Sequence, residues 1–146
     1  MHLTSFTDYT LRVLMYVAAR NGARTTTAEI ATAFKVSESH LNKVVHALGR
    51  DGLLRNVRGR GGGLELARPA SSINLGAVIR AAETGALVEC FDGAANRCVI
   101  TPVCGLRGVL AEALDRFYAT LDRYTLADVT ASPRRFARAI TTAAHH

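Results

Sequence analysis

The sequence predicts a mainly α-helical protein with a small β-hairpin wing, that is, a winged helix-turn-helix followed by a long C-terminal helix. Three observations lead to this fold class. Apolar residues recur at helical spacing over most of the 146-residue chain, and two short apolar stretches flank a glycine-rich run typical of a hairpin. A loop that holds all three cysteines then precedes one long amphipathic segment.

Three helices are predicted before the hairpin. The first ends at Asn21-Gly22, and its apolar face consists of Leu11, Leu14, Met15 and Ala18. Thr27 is placed to cap a short second helix, and Ser37 to cap a third. Asp51-Gly52 ends the third helix, because glycine can take the left-handed conformation that closes a helix.

The apolar period then changes from that of a helix to that of a strand. Residues 53–57 and 64–66 predict two short strands, joined by the tip Arg58-Gly59-Arg60-Gly61-Gly62-Gly63. Two helices close together, followed by a basic hairpin, make a winged helix-turn-helix.

The second half of the chain is predicted to be helical around the cysteine loop. Pro69 and Ser71-Ser72 open a helix that Gly85 ends. A long helix is predicted from residue 102 to about 124, with an apolar stripe of Leu106, Leu110, Ala113, Phe117 and Leu121. A short segment at 125–129 precedes a basic tail that we expect to be mobile.

The solvent face of the third helix suits DNA, because the second helix of a helix-turn-helix enters the major groove. Arg58 and Arg60 at the wing tip can lie along a phosphate backbone or in a narrow minor groove. A polar helix face or a glycine-rich hairpin alone also occurs in proteins that do not bind DNA, but their order here favours double-stranded DNA. The candidate DNA-binding residues are Thr27, Ser37, Ser39, His40, Asn42, Lys43, His46, Arg58 and Arg60.

The charge of the chain is unevenly distributed. The formal net charge is +6, with +5 in residues 1–69, −2 in residues 70–133 and +3 in residues 134–146. We therefore predict a DNA-binding region at 1–69, a cysteine loop and long helix at 70–130, and a basic tail at 131–146. No apolar run approaches the ~20 residues that span a bilayer, so a cytoplasmic protein without a membrane partner is expected.

The three cysteines Cys90, Cys98 and Cys104 lie within fifteen residues. An odd number in a reducing compartment argues against structural disulfides, and the spacing fits neither a closed zinc site nor a ferredoxin. Two interpretations stay open: an iron–sulfur cluster with a fourth ligand other than cysteine, or three half-buried cysteines without metal. No nucleophile–base pattern or phosphate loop is present, so we do not predict an enzyme.

Several segments together point to one family. They are Leu3-Thr4-Ser5-Phe6-Thr7-Asp8-Tyr9, the wing at 57–64, Cys98-x-Ile100-Thr101-Pro102-x-Cys104, and the segment at 121–128. Over residues 1 to about 130 the chain resembles the NsrR-like nitric-oxide-sensing repressors of the winged-helix iron–sulfur regulator family, which also includes IscR. The resemblance implies a homodimer paired through the long helix, with one 4Fe-4S or 2Fe-2S cluster per subunit held by Cys90, Cys98 and Cys104.

The resemblance also implies that Asp8 of the partner subunit is the fourth ligand. Arg107 stands where IscR-like proteins have a histidine, which favours the nitric-oxide sensor. Asp8 has a second interpretation, a carboxylate that the positive end of the first helix favours. The seven-residue gap between Cys90 and Cys98 is longer than in several relatives and leaves the cluster type open.

The family mechanism would be repression at a palindromic operator, read by two recognition helices about 34 Å apart. Nitric oxide would displace the bridge between the cysteine loop and the partner subunit's Asp8, and DNA would be released. Two alternatives remain: a cluster-free winged-helix regulator that senses thiol oxidation, and an electron-transfer iron–sulfur protein.

Overall fold

Seven α-helices and one hairpin form most of residues 2–143, the part of the chain that this computed structural model describes. The helices are α1 (Ser5–Ala19), α2 (Thr27–Phe34), α3 (Glu38–Arg50), α4 (Leu75–Ala82), α5 (Gly105–Leu121), α6 (Leu126–Val129) and α7 (Pro133–Ala143). The strands are β1 (Leu54–Val57) and β2 (Gly63–Leu66), and short 3-10 turns lie at Ala70–Ser72, Glu89–Phe91 and Thr101–Val103. The predicted fold class, mainly α-helical with a hairpin wing, is confirmed.

The first three helices and the hairpin share one apolar core, and we call this unit, residues 5–66, the reading head. Its most deeply buried side chains are Val13, Leu14, Ile30, Leu41, Val44, Leu48, Leu54 and Leu64. Burial of these stripes holds α1, α2, α3 and the hairpin together. In α1 the buried face is Val13, Leu14 and Val17, whereas the predicted Leu11, Met15 and Ala18 are only half-buried at its edge.

The cap of α2 differs from the prediction. Thr26 occupies the N-cap position, and Thr27 is the first helical residue. The Thr26 hydroxyl accepts from the Glu29 N–H at 3.1 Å, while the Glu29 carboxylate accepts from the Thr26 N–H at 2.7 Å, which is a capping box. Ser37 does precede α3 as its N-cap, but its side chain makes no capping hydrogen bond.

The hairpin is antiparallel, with Leu54 opposite Leu66 and Val57 opposite Gly63. Each strand begins one residue away from its predicted start. A third short segment joins it, because Thr25 and Leu64 exchange two backbone hydrogen bonds of 3.3 and 2.7 Å. The turn that precedes α2 is therefore fixed directly to the wing.

The predicted helix after Pro69 begins later than expected. Residues 70–72 form only a 3-10 turn, and α4 starts after Asn74, whose side chain accepts from the Ala77 N–H at 2.9 Å. The break occurs because Asn74 pairs in a β-bridge with Thr125, which holds its backbone extended. Helix α4 also ends before Gly85, with Glu83 as its C-cap.

A polar cluster fixes α4 to the end of α5. Arg80 donates to both carboxylate oxygens of Asp122, at 2.7 and 2.6 Å, and its guanidinium lies 4.4 Å from the Tyr118 ring centroid. A Cβ at Gly76 would lie 1.9 Å from an Asp122 carboxylate oxygen, so only glycine permits this approach. The reading head and α5 are thus joined through α4.

The long helix and the tail depart from their predicted forms. Helix α5 begins at Gly105, because a 3-10 turn occupies Thr101–Val103, and it ends at Leu121. The tail predicted to be mobile forms α7, which packs against α1 and α2. Phe136 and Ile140, one helical turn apart and half-buried, supply the apolar contact that the prediction overlooked. Residues 144–146 of that predicted tail lie outside the described residues.

Across residues 2–143, no helix combines the length and the apolar character needed to cross a membrane.

Candidate nucleic-acid interface and cysteine loop

The side of α3 that faces away from the reading head's core is exposed to solvent. Its apolar side chains Leu41, Val44 and Leu48 are buried in the reading head. The predicted base- and phosphate-contacting residues all lie on the exposed side: Ser39, His40, Asn42, Lys43 and His46, with Ser37 exposed just before the helix. The arrangement leaves hydrogen-bond donors and acceptors on a helix of 13 residues, as major-groove reading requires.

The wing tip carries two exposed arginines, Arg58 and Arg60. The tip is closed by a hydrogen bond from the Gly62 N–H to the Gly59 carbonyl at 3.0 Å, and a Cβ at Gly62 would lie 2.2 Å from the Val57 carbonyl oxygen. Glycine is therefore required for the tight turn. The turn holds the two guanidinium groups on a short connection between paired strands.

Sequence reasoning missed the residues that hold the wing in place. Arg24 donates to the Gly61 carbonyl at 3.1 Å and to the Glu65 carboxylate at 3.1 Å, and Arg55 donates to the other Glu65 oxygen. Hydrogen bonds from Arg55, and then from Arg24, lower the pKa of Glu65. No motif marked Arg24, because it lies in the turn after α1 and meets Glu65 only in the folded chain.

Thr27 is half-buried at the start of α2, beside the exposed cap residue Thr26. The neighbouring Thr25 hydroxyl donates to Glu29 at 2.6 Å. That hydrogen bond first, and the one from the Thr26 N–H second, lower the pKa of Glu29. The amino end of α2 is thus held by a charged network beside the wing.

The cysteine loop, residues 83–104, connects α4 to α5. Its three thiols are free and half-buried: Cys90 in a 3-10 turn, Cys98 in an irregular stretch, and Cys104 at the N-cap of α5. Around Cys98, the Asn96 side chain accepts from the Cys98 N–H at 3.0 Å, and the Thr101 hydroxyl donates to the Cys98 carbonyl at 2.8 Å. These bonds fix the backbone of the loop and leave the thiol uncommitted.

Arg107 also contacts the loop. Its Nε donates to the Cys90 carbonyl at 3.3 Å, so this first turn of α5 holds the far end of the loop. A second anchor is Glu89, whose carboxylate accepts from the Arg97 N–H at 2.7 Å. The residue at the position of the IscR-like histidine is therefore a backbone anchor in this chain.

The structure does not assemble a ligand set within one chain. In the described residues no group of three or more His, Cys, Asp or Glu side chains has the arrangement of a metal site. Asp8 instead forms an ion pair with Arg12 at 2.8 Å, and its side chain is 45% exposed. As donors, three thiols on one loop fit an iron–sulfur cluster by chemistry, and the remaining ligand must come from elsewhere.

An exposed apolar face runs from the loop along α5. None of the 17 residues of this helix is buried. The side chains concerned are Val99, Ile100, Val103, Leu106 and Val109, each more than half exposed. A contiguous apolar surface of this kind is typical of a protein–protein interface.

Comparison with known proteins places the chain among transcriptional regulators. The profile of the Rrf2 family, described as an iron-dependent transcriptional regulator, matches residues 3–132. The HTH-type transcriptional regulator NsrR of Bacillus subtilis strain 168 is 48% identical over 131 residues, which cover 88% of this chain and 90% of that protein. These relatives confirm the prediction of a DNA-binding regulator that is not an enzyme.

Solved structures confirm the fold. The oxidised form of CymR from Staphylococcus aureus superposes with a TM-score of 0.71 at 25% identity, covering 89% of this chain and 96% of that one. The T. potens IscR structure gives a TM-score of 0.68 at 24% identity, covering 88% and 85%.

Proposed function

Because this chain belongs to the Rrf2 family of transcriptional regulators, we propose that it is a repressor that binds operator DNA and responds to nitric oxide through an iron–sulfur cluster. The observation that carries the proposal is the presence, in one chain, of an exposed polar α3 face and a loop with three free, half-buried thiols. The 48% identity to NsrR supports nitric oxide as the signal. A regulator of this kind acts in the cytoplasm, on chromosomal DNA.

The DNA-reading role follows from the reading head. Ser39, Asn42 and Lys43 supply donors and acceptors on the exposed side of α3, and Arg58 and Arg60 reach toward the backbone from the wing. Thr27 and Ser37 lie at or beside the amino ends of α2 and α3, where backbone N–H groups favour phosphate. His40 and His46 complete the exposed polar set on α3.

Dimerisation through α5 would give the operator its symmetry. The exposed apolar side chains of α5 need a partner surface, and a second copy of the chain provides the same surface in a two-fold pair. Two reading heads related by such an axis reach successive major grooves about 34 Å apart, which favours a palindromic operator. We assign reading to residues 1–69 and sensing with dimerisation to residues 70–130.

The cluster would be held by Cys90, Cys98 and Cys104, one cluster in each subunit, with Asp8 of the partner subunit as the fourth donor. When bound, the cluster would supply iron that nitric oxide can ligate. The chain's own part is to orient the donors: Arg107 holds the Cys90 carbonyl, Asn96 and Thr101 hold the backbone at Cys98, and Arg12 pairs with Asp8. The iron and acid-labile sulfide content per subunit distinguishes a four-iron from a two-iron cluster.

The test is an absorbance spectrum of protein purified without oxygen, with iron and acid-labile sulfide measured on the same sample. We expect a coloured protein that binds its operator, bleaches when nitric oxide is added, and then releases the DNA. Cys98→Ala should lose colour and specific binding while its unfolding curve stays close to that of the parent protein. Arg97→Ala, at the neighbouring exposed position whose backbone N–H is retained, is the matched control and should keep both.

A cluster-free regulator of thiol oxidation is the second candidate, favoured by the absence of an assembled ligand group in the described residues. Colourless, iron-free protein that binds the operator fully, and loses it when oxidised by peroxide, would replace the first proposal with this one. Failure to bind any DNA would count against both, and would leave an electron-transfer role for a cluster-containing protein.

A further inference from the structure

Helix α7 has an apolar side and a strongly basic side. Pro133, Phe136 and Ile140 are half-buried, and they fall on one side of the helix at 3.6 residues per turn. The three arginines of the helix are exposed and fall on the opposite side: Arg134, Arg135 and Arg138. Helix α7 therefore packs against α1 and α2 through its apolar residues, and its guanidinium groups face solvent.

The positive charge of this basic side is not compensated nearby. No residue after Asp128 is acidic, so α7 itself carries +3 and no negative charge. Ion pairs elsewhere in the described residues occupy other arginines, and none involves Arg134, Arg135 or Arg138. Three guanidinium groups within about two turns raise the local potential and attract a polyanion.

The helix lies on the reading head rather than on the dimerisation side. It packs against α1 and α2. Helix α2 begins directly after Thr25, which is paired by backbone hydrogen bonds to Leu64 of the wing. Helix α7 thus packs on a unit that itself has a net positive charge, with nine basic and five acidic residues in 5–66.

We propose that α7 is an additional DNA-binding element, in which Arg134, Arg135 and Arg138 contact phosphates that flank the segment read by α3. Phosphates rather than bases are the partners, because exposed guanidinium groups on a helix seated outside the helix-turn-helix can reach the backbone without entering a groove. This element adds affinity that does not depend on DNA sequence. The inference rests on the DNA binding of the proposed function and is independent of the cluster and of nitric oxide.

The test is the salt dependence of DNA binding by the double variant Arg134→Ala/Arg138→Ala of the full chain. Binding is measured by fluorescence anisotropy on two duplexes: an operator selected from a random pool and an unrelated sequence of the same length. The slope of log K against log salt should fall by roughly 0.9 for each lost phosphate contact, equally on both duplexes. Arg134→Lys/Arg138→Lys should keep the slope, since lysine retains the charge.

The matched control is Arg116→Ala/Arg123→Ala, which removes the same charge from α5 and its C-terminal end. This variant should keep the slope of the parent protein, and circular dichroism and light scattering should show that each variant stays folded and of unchanged size. Equal slopes for both double variants would overturn the proposal. So would a loss seen on the operator alone.

Vesicle binding, and the DNA binding of the parent protein itself, separate the remaining outcomes. Flotation with vesicles of phosphatidylserine and phosphatidylcholine that depends on Arg134 and Arg138, without any change in the DNA slope, would replace DNA by an anionic membrane surface as the partner. A parent protein that binds neither duplex would defeat the proposed function itself, whereas normal binding with unchanged slopes defeats only the role of α7.

Discussion

At the scale of single residues, neighbouring threonines at the amino end of α2 make different hydrogen bonds. Three of them occur in a row, and the middle one, Thr26, caps the helix while Thr25 bonds to Glu29 from its side chain. Sequence preference alone favours threonine at a cap without saying which of three serves. The choice is made by the backbone pairing of Thr25 with Leu64, which fixes where the extended segment ends.

This arrangement predicts different costs for two adjacent substitutions. Thr26→Ala removes the hydroxyl that accepts from the Glu29 N–H, so the free energy of unfolding should fall by about 1 kcal/mol. Thr27→Ala removes no capping bond and should cost distinctly less, because alanine is a better helix former than threonine. Urea unfolding of both variants beside the parent protein measures the difference. Equal losses would contradict the capping assignment.

The same network predicts a pH dependence of stability. The hydrogen bond from Thr25, followed by that from the Thr26 N–H, lowers the pKa of Glu29 below its ordinary value of 4.5. The unfolded chain therefore binds this proton more readily than the folded chain, so the stabilisation is present above pH 4.5 and is lost as the pH falls through the folded pKa. Glu29→Gln should lose less stability than the parent protein on acidification, as measured by urea unfolding at a series of pH values. Parallel profiles would argue against the network.

At the scale of the elements, the joint between α4 and α5 depends on one glycine. Gly76 is buried, and the Asp122 carboxylate occupies the space where a Cβ would be. That carboxylate accepts both hydrogen bonds of Arg80, which lower the pKa of Asp122. Because Asn74 also donates to the Asp122 carbonyl, at 2.7 Å, the end of α5 is held from two sides.

Gly76→Ala should therefore destabilise the protein, although alanine ordinarily stabilises a helix. The new methyl group must displace Asp122 from Arg80, so we expect a net loss of about 1 to 3 kcal/mol, typical of overpacking. Gly85→Ala is the control, since a Cβ there meets nothing within 4 Å. The midpoints of thermal unfolding of the two variants measure this difference. A Gly76→Ala variant as stable as the control would show that Asp122 moves aside without loss of stability.

Helices and strands were predicted from the sequence more accurately than the contacts between them. Periodicity located the reading head, the hairpin and α5, because each buries or presents a stripe that local spacing reveals. It placed the start of α4 too early, because the bridge between Asn74 and Thr125 joins residues about fifty positions apart. For the same reason the wing anchor Arg24 was missed, and α7 was overlooked because its apolar face has only a few members, whose partner surface is formed by α1 and α2.

At the scale of the whole molecule, the two ends of α5 have different surroundings. Its C-terminal end is fixed to α4 by Arg80 and Asp122, and so to the reading head. Its N-terminal end is preceded by the N-cap residue Cys104 and carries exposed apolar side chains. A change in the cysteine loop can therefore reach the reading head along one continuous helix when the exposed end is held by a second copy of the chain.

Substitutions in the exposed end of α5 test whether a second copy of the chain covers it. Leu106 and Val109 are 62% and 63% exposed in a single chain, and a charge on this face should oppose its burial between two copies. Leu106→Glu/Val109→Glu should shift the protein toward monomers in analytical ultracentrifugation, since an interface does not bury two unpaired carboxylates. Ala119→Glu, outside this apolar face, is the control and should sediment like the parent protein.

The same variants separate dimerisation from DNA reading. A monomer retains its α3 face and wing, so it should bind a single half-site about as well as one subunit of the parent protein does. It should lose the much tighter binding to a full palindrome, because that gain arises from joining two heads at a fixed spacing. A Leu106→Glu/Val109→Glu protein that stays dimeric and still prefers the palindrome would place the two-fold interface elsewhere than on α5.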